Sequence, residues 1–586
     1  MSEFLLQSIF FIVSITTVTL LGILLGALAN GMDRNQLKNY KENFIAKFRR
    51  SLLFGFVLTL FNECYWIGNI FAFTLGIGSS LFLNLPIMFF LMPLWYTFTH
   101  IMSRMGFDAL HGRSPPKPYV KIEDPLIQGG YAEIYRVLET NLNAAFGKLK
   151  RRWAMPAGKY MACYLWDSAF ISQVWKYWDD DVAGEILLPL LDSQADDGRV
   201  PHFTSFLNKS NLTQPPLIAW AISNLQVDNR YLKKTYFKLK KFNQWLYLNR
   251  RFENGLFFWK HSYESGIDNS PRFTDRSEKQ RKDLTRIAAV DLNAYVVLQN
   301  QSLIKLAARL KEQNGEDLER DVLEFKEKNR ELIELIQLYL WDEEAGLYFD
   351  YDVFEEKRIS LNTIASFIPL AAKIPTETQA ERLKEHLENS NEYNTIIPLP
   401  TVAINDKLFV KDTWRGPVWL NTAYLIIKGL ENYQYYELSG EFALRLIEGV
   451  FKTWQNEGSF YEFYDPERFD LRELTRKKGN LWKQITLGGK PVKNFVGWTG
   501  LVNPILIESI LGYDKLERII QPRIPGKLKG KTIILGFPQE NFELEVIYND
   551  VNDITITLID LTGLKPNLVK KCSLYQKVMI DDFFGE

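Results

Sequence analysis

Cysteine and histidine are both scarce in this sequence. Its 586 residues include three cysteines, Cys64, Cys163 and Cys572, and five histidines. The cysteines are odd in number and far apart, which excludes a disulfide framework and a paired-cysteine metal site. The histidines show no His-Glu-x-x-His or other ligand spacing, so a zinc hydrolase is not indicated. Phosphate-binding loops, Gly-x-Gly-x-x-Gly and Gly-x-Ser-x-Gly are absent too, so nucleotide and serine-esterase chemistry lack support.

A net charge is also lacking, because 70 Lys and Arg residues balance 70 Asp and Glu residues. A nucleic-acid partner is therefore not expected, since binding to phosphates needs a basic surface. Aromatic residues, by contrast, are plentiful at 14%, with 15 tryptophans. Such side chains build a core or stack on sugar rings, and for any single tryptophan the core is the favoured interpretation. The length predicts two or more domains.

Charge is missing from two long stretches near the N-terminus. No charged residue lies between Glu3 and Asp33, and Glu63 alone interrupts the uncharged tract 52–99. A helix of about 20 apolar residues crosses a bilayer, so we predict spans at 4–29, 52–76 and 80–100, with a membrane anchor over 1–105. A removable signal peptide is the weaker interpretation, because no basic segment precedes the first tract.

Basic residues follow the first tract and the second tract, and none lies in the turn between the second and third spans. The positive-inside rule then places everything after residue 100 in the cytoplasm and the N-terminus outside. A single tilted span over 52–99 would reverse this orientation. We therefore expect an integral membrane protein.

Beyond a linker at 106–128, rich in proline, glycine and charge, helical periodicity dominates residues 129–515. About twelve amphipathic runs occur, the longest near 131–149, 231–248, 288–310, 318–340 and 417–430. An even number of helices without a strand repeat predicts a mainly α fold, in which paired helices close into a barrel with loops gathered at one end. The tail, 516–586, has β-branched runs at 532–537, 542–548 and 554–561 that predict a small sheet.

Four loop segments concentrate carboxylates beside aromatic residues. They are Trp166-Asp167, Asp-Gly-Arg-Val-Pro-His at 197–202, Glu-Ser-Gly-Ile-Asp-Asn-Ser-Pro-Arg at 264–272, and Tyr-Glu-Phe-Tyr at 461–464. Asp268 follows Glu264 and lies near three aromatic residues of the sequence, and an apolar wall and a like charge both favour a protonated carboxyl. Glu462 is flanked by Tyr461 and Tyr464, whose hydroxyls are expected to orient it or a water. An isolated Asp-Asn-Ser-Pro is more often a turn or a helix cap.

The 264–272 run closely resembles the acid-bearing motif of family 63 of the glycoside hydrolases and their trehalase relatives. Six further segments are similar to that family in the same order: WDSAF at 166–170, DGRVPH at 197–202, TQPPLIAWAI at 213–222, TWRGPVWLNTAYL at 413–425, FYEFYDPE at 460–467 and GWTGLVNP at 497–504. The resemblance covers roughly residues 130–515 and leaves out the membrane tracts and the tail. It is better for the shorter mannosylglycerate and glucosylglycerate hydrolases than for the large processing glucosidases.

The resemblance implies an (α/α)6 barrel and hydrolysis of a glycosidic bond with inversion. It implies that Asp268 is the general acid and Glu462 the general base, and that no metal or organic cofactor is required. An inverting pair of carboxyl groups stands roughly 6.5–9.5 Å apart, which leaves room for the attacking water.

Eight further residues of these motifs are candidate substrate contacts. Asp167 is expected to accept hydrogen bonds from sugar hydroxyls, and Arg415 to donate them, although an ion pair beside the helix start at Pro417 is an equal alternative for Arg415. For the tryptophans a stacking face is the hypothesis, with core burial favoured for at least one of them. The other candidates are Trp166, Trp414, Trp419, His202, Gln214 and Arg272.

The expected substrate is a small α-glucoside or α-mannoside of the glycerate type, an oligosaccharide, or a glycolipid delivered from the membrane. The alternative is a catalytically silent, membrane-tethered carbohydrate-binding scaffold on the same barrel, and the presence of both carboxylates in full motifs argues against it. A transporter is disfavoured, since three spans with one internal carboxylate are too few features for a pore. The sequence gives no indication of the oligomeric state.

Overall fold

A computed structural model describes residues 115–145, 147–273, 284–315, 317–476 and 487–581. The predicted spans at 4–29, 52–76 and 80–100 lie outside the described residues, so the membrane anchor stays a prediction. Within the described ranges, no helix combines the length and the apolar character needed to span a bilayer.

Helices dominate the described part of the chain, as predicted. Eight have ten or more residues: α1 (Pro125–Thr140), α2 (Leu165–Trp175), α3 (Asn229–Asn249), α4 (Val290–Asn314), α5 (Glu319–Tyr339), α6 (Glu377–Glu388), α7 (Leu420–Asn432) and α8 (Tyr436–Glu457). Shorter α-helices are Asp180–Glu185, Leu188–Asp192, Ile218–Ser223, Ser262–Ser265 and Ile368–Ala371. A 3₁₀ turn, Thr499–Leu501, continues into Val502–Pro504 and a π-helix, Ile505–Ile510, and further 3₁₀ turns are Pro271–Phe273, Ile364–Phe367 and Gly526–Leu528.

Neighbouring helices make a closed circuit of contacts. It runs from α2 through Ile218–Ser223, α4, Ile368–Ala371 and α7 to the turn at Thr499–Leu501, which packs back on α2. The remaining long helices lie outside this circuit, with α3 and α5 against α4, and α8 between α7 and α1. All eleven residues of α2 are buried, which is expected of a helix that is surrounded on every side.

The predicted bounds of the first long helix, 131–149, are wrong. The helix begins at Pro125, where the Asp124 side chain accepts the N–H groups of Leu126 and Ile127 and caps it. Two glycines at 129–130 disfavour a helix by propensity, yet a Cβ on Gly130 would lie 2.4 Å from the Phe451 ring of α8. This close approach of α1 to α8 requires glycine, and packing outweighs propensity. The runs predicted at 231–248, 288–310, 318–340 and 417–430 correspond to α3, α4, α5 and α7 within a few residues.

The C-terminal part forms an antiparallel five-stranded sheet. Its strands are β1 (Tyr119–Lys121), β2 (Thr532–Phe537), β3 (Phe542–Asp550), β4 (Asp553–Asp560) and β5 (Leu568–Cys572), and this is also their spatial order. In the register, Val120 lies opposite Leu535, and Leu544 opposite Leu558. β2, β3 and β4 match the predicted runs, whereas β1 lies inside the predicted linker, which is therefore wrong for these residues. β1 was not predicted because a strand of three residues is too short to show an alternation of apolar and polar side chains in the sequence.

The sheet and the helical body belong to one compact unit. Phe537 of β2 packs on Tyr177, just beyond α2, and on Tyr513, with ring centroids 6.1 and 5.3 Å apart. The tail predicted at 516–586 is thus part of the body's packing. Short strands elsewhere are Trp153–Ala154, Cys163–Tyr164, Phe203–Thr204, Ile287–Ala288, Trp341–Asp342, Leu347–Tyr348, Asp350–Asp352, Lys357–Ile359, Tyr513–Asp514, Ile519–Ile520 and Val578–Met579.

The two adjacent glycines of α1 should respond in opposite ways to alanine. Gly130→Ala places a methyl group against the Phe451 ring, and we expect it to lower the free energy of unfolding by about 1–2 kcal/mol. This value is the cost of overpacking minus the gain in helix propensity that alanine brings. Gly129→Ala is the matched control, because its Cβ would lie 3.5 Å from Trp454, an ordinary contact. It should raise the free energy of unfolding by about 0.5–1 kcal/mol. Urea denaturation measures both, and equal effects of the two variants would contradict this packing.

Candidate active site

A cavity of about 210 Å³ opens among the loops that precede α2 and α7 and follow the short helix Ser262–Ser265. Seven of the ten predicted site residues line it: Trp166, Asp167, His202, Gln214, Asp268, Trp414 and Trp419. Its other described lining residues are Pro156, Tyr160, Tyr164, Tyr263, Gly266, Asn269, Thr413, Arg476, Leu487, Phe495 and Trp498. The structure thus brings together motifs that are more than 250 residues apart in the sequence.

Asp268 lies on the loop between Ser262–Ser265 and the 3₁₀ turn Pro271–Phe273. The loop leaves the short helix through Gly266, whose φ of +75° is one that side chains disfavour. A Cβ at Gly266 would lie 2.3 Å from the Trp166 ring. Glycine therefore lets the loop turn directly against Trp166, and Asp268 lies half-buried in the cavity wall.

Glu264 anchors this loop and does not act on Asp268 as a bare charge. It is fully buried and accepts hydrogen bonds from Nε and Nη2 of Arg250 at 2.9 and 2.6 Å. The backbone N–H groups of Lys260 and Thr213 donate to it at 3.0 and 3.4 Å. Its charge is thus compensated by Arg250, which weakens any repulsion between Glu264 and Asp268, and the protonated form of Asp268 stays a prediction.

Arg272 has a structural role instead of the predicted contact with substrate. Its guanidinium donates to Asp350 through Nε and Nη2 at 2.7 and 2.6 Å, and to Asp291 through Nη1 at 2.8 Å. The side chain is buried, and the two carboxylates hold its pKa above the usual range although burial opposes this. Arg272 is not part of the cavity wall. It fixes the acid loop to α4, where Asp291 lies, and to the strand Asp350–Asp352.

Asn269, beside the acid, connects its loop to the tryptophans. Its Oδ1 accepts the backbone N–H of Trp414 at 3.0 Å. Trp414 stacks on Trp419 with ring centroids 3.6 Å apart and planes 10° apart. Nε1 of Trp419 donates to the carbonyl of Thr413 at 2.9 Å, across a turn in which Thr413 has φ +45°. The three predicted tryptophans, Trp166, Trp414 and Trp419, are therefore mostly buried, and each still forms part of the cavity wall. Burial in the core and a position in the site are both found for the same side chains.

Glu462 lies directly behind the cavity wall. It is fully buried, the hydroxyl of Tyr160 donates to its Oε2 at 3.0 Å, and Arg476 forms an ion pair with its Oε1. Tyr160 and Arg476 both line the cavity. Trp498 holds the backbone, since its Nε1 donates to the Glu462 carbonyl at 2.8 Å. The base candidate thus lies next to the cavity that Asp268 lines and is separated from it by the side chains of Tyr160 and Arg476.

The expected partners of Glu462, the hydroxyls of Tyr461 and Tyr464, are engaged elsewhere, so that expectation is wrong. Tyr464 OH accepts the N–H of Tyr461 at 3.1 Å, and Tyr461 OH donates to the carbonyl of Glu457 at 3.3 Å.

Tyr160 lines the same cavity as Asp268 and contacts the base candidate Glu462. Burial raises the pKa of Tyr160 to about 12, Arg476 opposes the shift, and the charge of Asp268 adds to it. One tyrosine therefore connects the cavity with the buried Glu462.

Asp167 lies in the first turn of α2 and is a third carboxyl group of the cavity. Burial raises its pKa to about 8, and its own backbone N–H opposes the shift. It is therefore mostly neutral at pH 7, and it can donate as well as accept a hydrogen bond. Beside it, Gln214 accepts the N–H of Trp166 at 3.4 Å, and the carbonyl of His202 accepts the N–H of Leu165 at 2.9 Å. These two hydrogen bonds hold Gln214 and His202, both predicted substrate contacts, at the start of α2.

Arg415 has neither of its predicted roles among the described residues. It does not line the cavity, and it forms no ion pair with any described residue. Its backbone closes a turn, in which Val410 N–H donates to the Arg415 carbonyl at 2.7 Å. Its Nε is buried and has no partner within the described ranges.

Several cavity residues were not predicted. Asn269 and Trp498 lie inside quoted motifs, so the motifs carried a signal that was not used. Tyr160 and Arg476 lie outside all seven motifs, and no local pattern marks them. Across the described ranges, no group of three His, Cys, Asp or Glu side chains is arranged to hold a metal ion.

The site agrees with comparisons to known proteins. The sequence model of the mannosylglycerate hydrolase MGH1-like glycoside hydrolase domain matches residues 160–473. Mannosylglycerate hydrolase of Thermus thermophilus is 28% identical over 412 residues, which cover 56% of this chain and 93% of that protein. Mannosyl-oligosaccharide glucosidase of Saccharomyces cerevisiae is 25% identical over 268 residues, 42% of this chain and 28% of that protein.

A solved structure extends the likeness to the fold. The crystal structure of a family 63 mannosylglycerate hydrolase from another strain of Thermus thermophilus, in complex with glucose, has a TM-score of 0.52 at 26% sequence identity, and the match covers 64% of this chain and 98% of that chain. The helix-rich body is thus similar to the family 63, (α/α)6 type. With the family match spanning more than half of the sequence, this chain is a glycoside hydrolase and belongs to the mannosylglycerate hydrolase MGH1-like glycoside hydrolase family.

Proposed function

We propose that this protein hydrolyses a small α-mannoside or α-glucoside with inversion, and that its aglycone carries a carboxylate, as glycerate does. One observation carries the proposal: Asp268 lies in the wall of a small cavity while Glu462 lies behind Tyr160 and Arg476 of the same cavity. Inversion is characteristic of the family. At about 210 Å³ the cavity is smaller than the roughly 300–1,000 Å³ usual for drug-sized ligands, which suits a small glycoside.

In this mechanism Asp268 protonates the glycosidic oxygen as the bond to the anomeric carbon breaks. Glu462 takes a proton from a water that attacks the opposite face of the sugar. The ion pair with Arg476 and the hydrogen bond from Tyr160 both favour the ionised form of Glu462, which a base needs. The stacked pair Trp414 and Trp419 and the nearby Trp166 offer ring faces to the sugar.

Removal of either carboxyl group should abolish hydrolysis. Asp268→Asn and Glu462→Gln are each expected to lower kcat by about 10²–10⁴-fold or more, because general acid and general base contributions have that size. An anomer-resolved NMR time course with α-mannosides and α-glucosides measures the rate and the anomer released first. Glu467→Gln is the matched control, since Glu467 is in the same motif but its side chain is half exposed and pairs with Lys411.

Two results would contradict the assignment. Release of the α-anomer first would exclude inversion, and an Asp268→Asn variant of normal stability and normal rate would exclude the acid. No release of sugar by the wild-type protein from any member of the panel would favour the silent scaffold.

The carboxylate in the aglycone is inferred from Arg476, whose Nε is buried and has no hydrogen-bond partner among the described residues although the guanidinium pairs with Glu462. Arg476 is the single Lys or Arg among the described lining residues. A guanidinium binds a carboxylate through two parallel hydrogen bonds, which a neutral aglycone does not offer. The relatives named mannosylglycerate hydrolases support this choice, whereas the relative named mannosyl-oligosaccharide glucosidase favours a neutral oligosaccharide.

Arg476→Gln should separate the two substrate classes. Loss of a charge-assisted bond of about 1.5–3 kcal/mol predicts a KM about 10–150-fold higher for mannosylglycerate or glucosylglycerate. The KM for the matching methyl glycoside should change little, while kcat falls for both because Glu462 loses its partner. Arg468→Gln is the control, since Arg468 pairs with Asp470 and Glu473 outside the cavity. An equal rise in KM for charged and neutral substrates would exclude recognition of the carboxylate.

Membrane anchoring through residues 1–105, with the hydrolase domain in the cytoplasm, is a further part of the proposal. The uncharged tracts at 4–29 and 52–99 and their basic flanks support it. A C-terminal tag should then resist protease added to intact cells and be cleaved in inverted membrane vesicles. Cleavage in intact cells would reverse the orientation, and recovery of the protein in the soluble fraction after cell breakage would exclude the anchor.

A further inference from the structure

A second cavity, larger than the catalytic one at about 350 Å³, lies at the other end of the same helices. α2 carries Trp166 and Asp167 at its N-terminal end, in the catalytic cavity, and is followed by Lys176 and Tyr177, in the second cavity. α7 likewise follows Trp419 and carries Tyr424 and Lys428 toward its C-terminal end. Eleven residues of helix span about 16 Å, so the two cavities are separate.

The wall of the second cavity is rich in positive charge. Five basic residues line it, namely Lys176, Lys305, Lys428, Arg523 and Lys577. Two acidic residues line it, Glu508 and Asp514. Neutral side chains that can donate hydrogen bonds also line it, among them Tyr177, Asn224, Tyr424, Asn432 and Gln521.

Glu508 neutralises only the inner part of this charge. Its Oε1 accepts from Tyr177 at 3.0 Å and contacts Lys176 Nζ at 2.8 Å. Its Oε2 accepts from Tyr424 at 2.6 Å and lies 3.5 Å from Lys428 Nζ. Both oxygens of this buried carboxylate are therefore in use.

Lys176 and Lys428 have a structural explanation, because lysines near helix C-termini are stabilised there and both contact Glu508. The other three basic residues do not share it. Lys305 lies in the middle of α4 and pairs with Glu517 at 3.4 Å, with both side chains about half exposed, an arrangement that contributes little. Lys577 makes no ion pair with any described residue.

Arg523 is the most buried of these three basic residues. It donates to the carbonyl of Glu508 at 2.7 Å and to Gln521 at 2.9 Å, and its nearest carboxylate, Glu431, lies 3.5 Å away. Its Nε is buried and has no hydrogen-bond partner among the described residues. A buried donor of a charged group without a partner costs free energy.

We propose that this cavity binds a small multivalent anion, such as a phosphate-bearing metabolite, through Arg523, Lys305 and Lys577. Such an anion carries several acceptor oxygens and more than one negative charge. This matches Lys305 and Arg523, whose nearest carboxylates lie 3.4 and 3.5 Å away, and Lys577, which has no ion pair among the described residues. The site is distinct from the catalytic cavity and does not depend on the proposed substrate.

Inorganic pyrophosphate is the probe, titrated calorimetrically into the full-length protein at constant ionic strength. The double variant Lys305→Gln/Lys577→Gln should weaken binding at least about tenfold, since each charge-assisted bond is worth about that factor. These residues lie outside the catalytic machinery, so glycoside hydrolysis should be unchanged in the variant. Lys565→Gln/Lys571→Gln, two exposed lysines near β5, is the matched control and should bind like the wild type.

The proposal is overturned if pyrophosphate does not bind at millimolar concentration, or if both double variants weaken binding equally, which would indicate non-specific attraction. It is also overturned if Arg476→Gln abolishes binding while Lys305→Gln/Lys577→Gln does not, because the anion would then occupy the catalytic cavity. Arg523→Gln gives a second measurement: binding should weaken there too, and wild-type affinity in this variant would overturn the assignment of Arg523 to the site.

Discussion

The buried ion pair of Glu264 with Arg250 is the interaction on which the catalytic cavity depends. Arg250 ends α3, and Glu264 lies in the short helix just before the acid loop, so the pair ties that loop to the outer layer of helices. Through the N–H of Thr213 it also holds the segment that carries Gln214. Removal of one partner of a buried pair costs about 3–5 kcal/mol. The position of Asp268 therefore depends on Glu264, a charged residue that has no role in the proposed reaction.

The two long helices that start at the cavity, α2 and α7, begin after Tyr164 and Trp419, which provide no side-chain cap. Among the outer helices, α1, α3 and α6 are capped by the side chains of Asp124, Asp228 and Thr376, whereas α5 and α8 have no side-chain cap. The first N–H groups of a helix have no hydrogen-bond acceptor within the helix, and they carry a partial positive charge. Uncapped helix starts thus make the loop end of the body favourable for ligand oxygens.

Sequence periodicity and motif order could predict different parts of this arrangement. Amphipathic helices such as α3 and α5 show their period in the sequence, whereas α2 is buried on all sides and has none. Ordered motifs identified the segments that meet at the cavity, because each motif supplies a loop. They did not identify the direction in which a side chain points. Arg272 turns away from the cavity to Asp291 and Asp350, and the latter is 78 residues distant.

Two residues that define the base candidate could not be found from the sequence. Tyr160 and Arg476 reach Glu462 across 302 and 14 positions of the chain, and neither lies in a motif. Their role arises only when the loops have come together. The motif gives the carboxylate, and the fold gives its environment.

The three carboxyl groups at the cavity differ in their surroundings. Asp167, whose pKa is raised to about 8 by burial, and Asp268 line the cavity, whereas Glu462 lies behind the wall with Tyr160 and Arg476 as its partners. A guanidinium favours the ionised form of the carboxylate that it contacts, and burial without a cation favours the neutral form. The loops therefore place carboxyl groups in unlike environments around one cavity, which is the condition for dividing acid and base roles between two groups of the same chemistry.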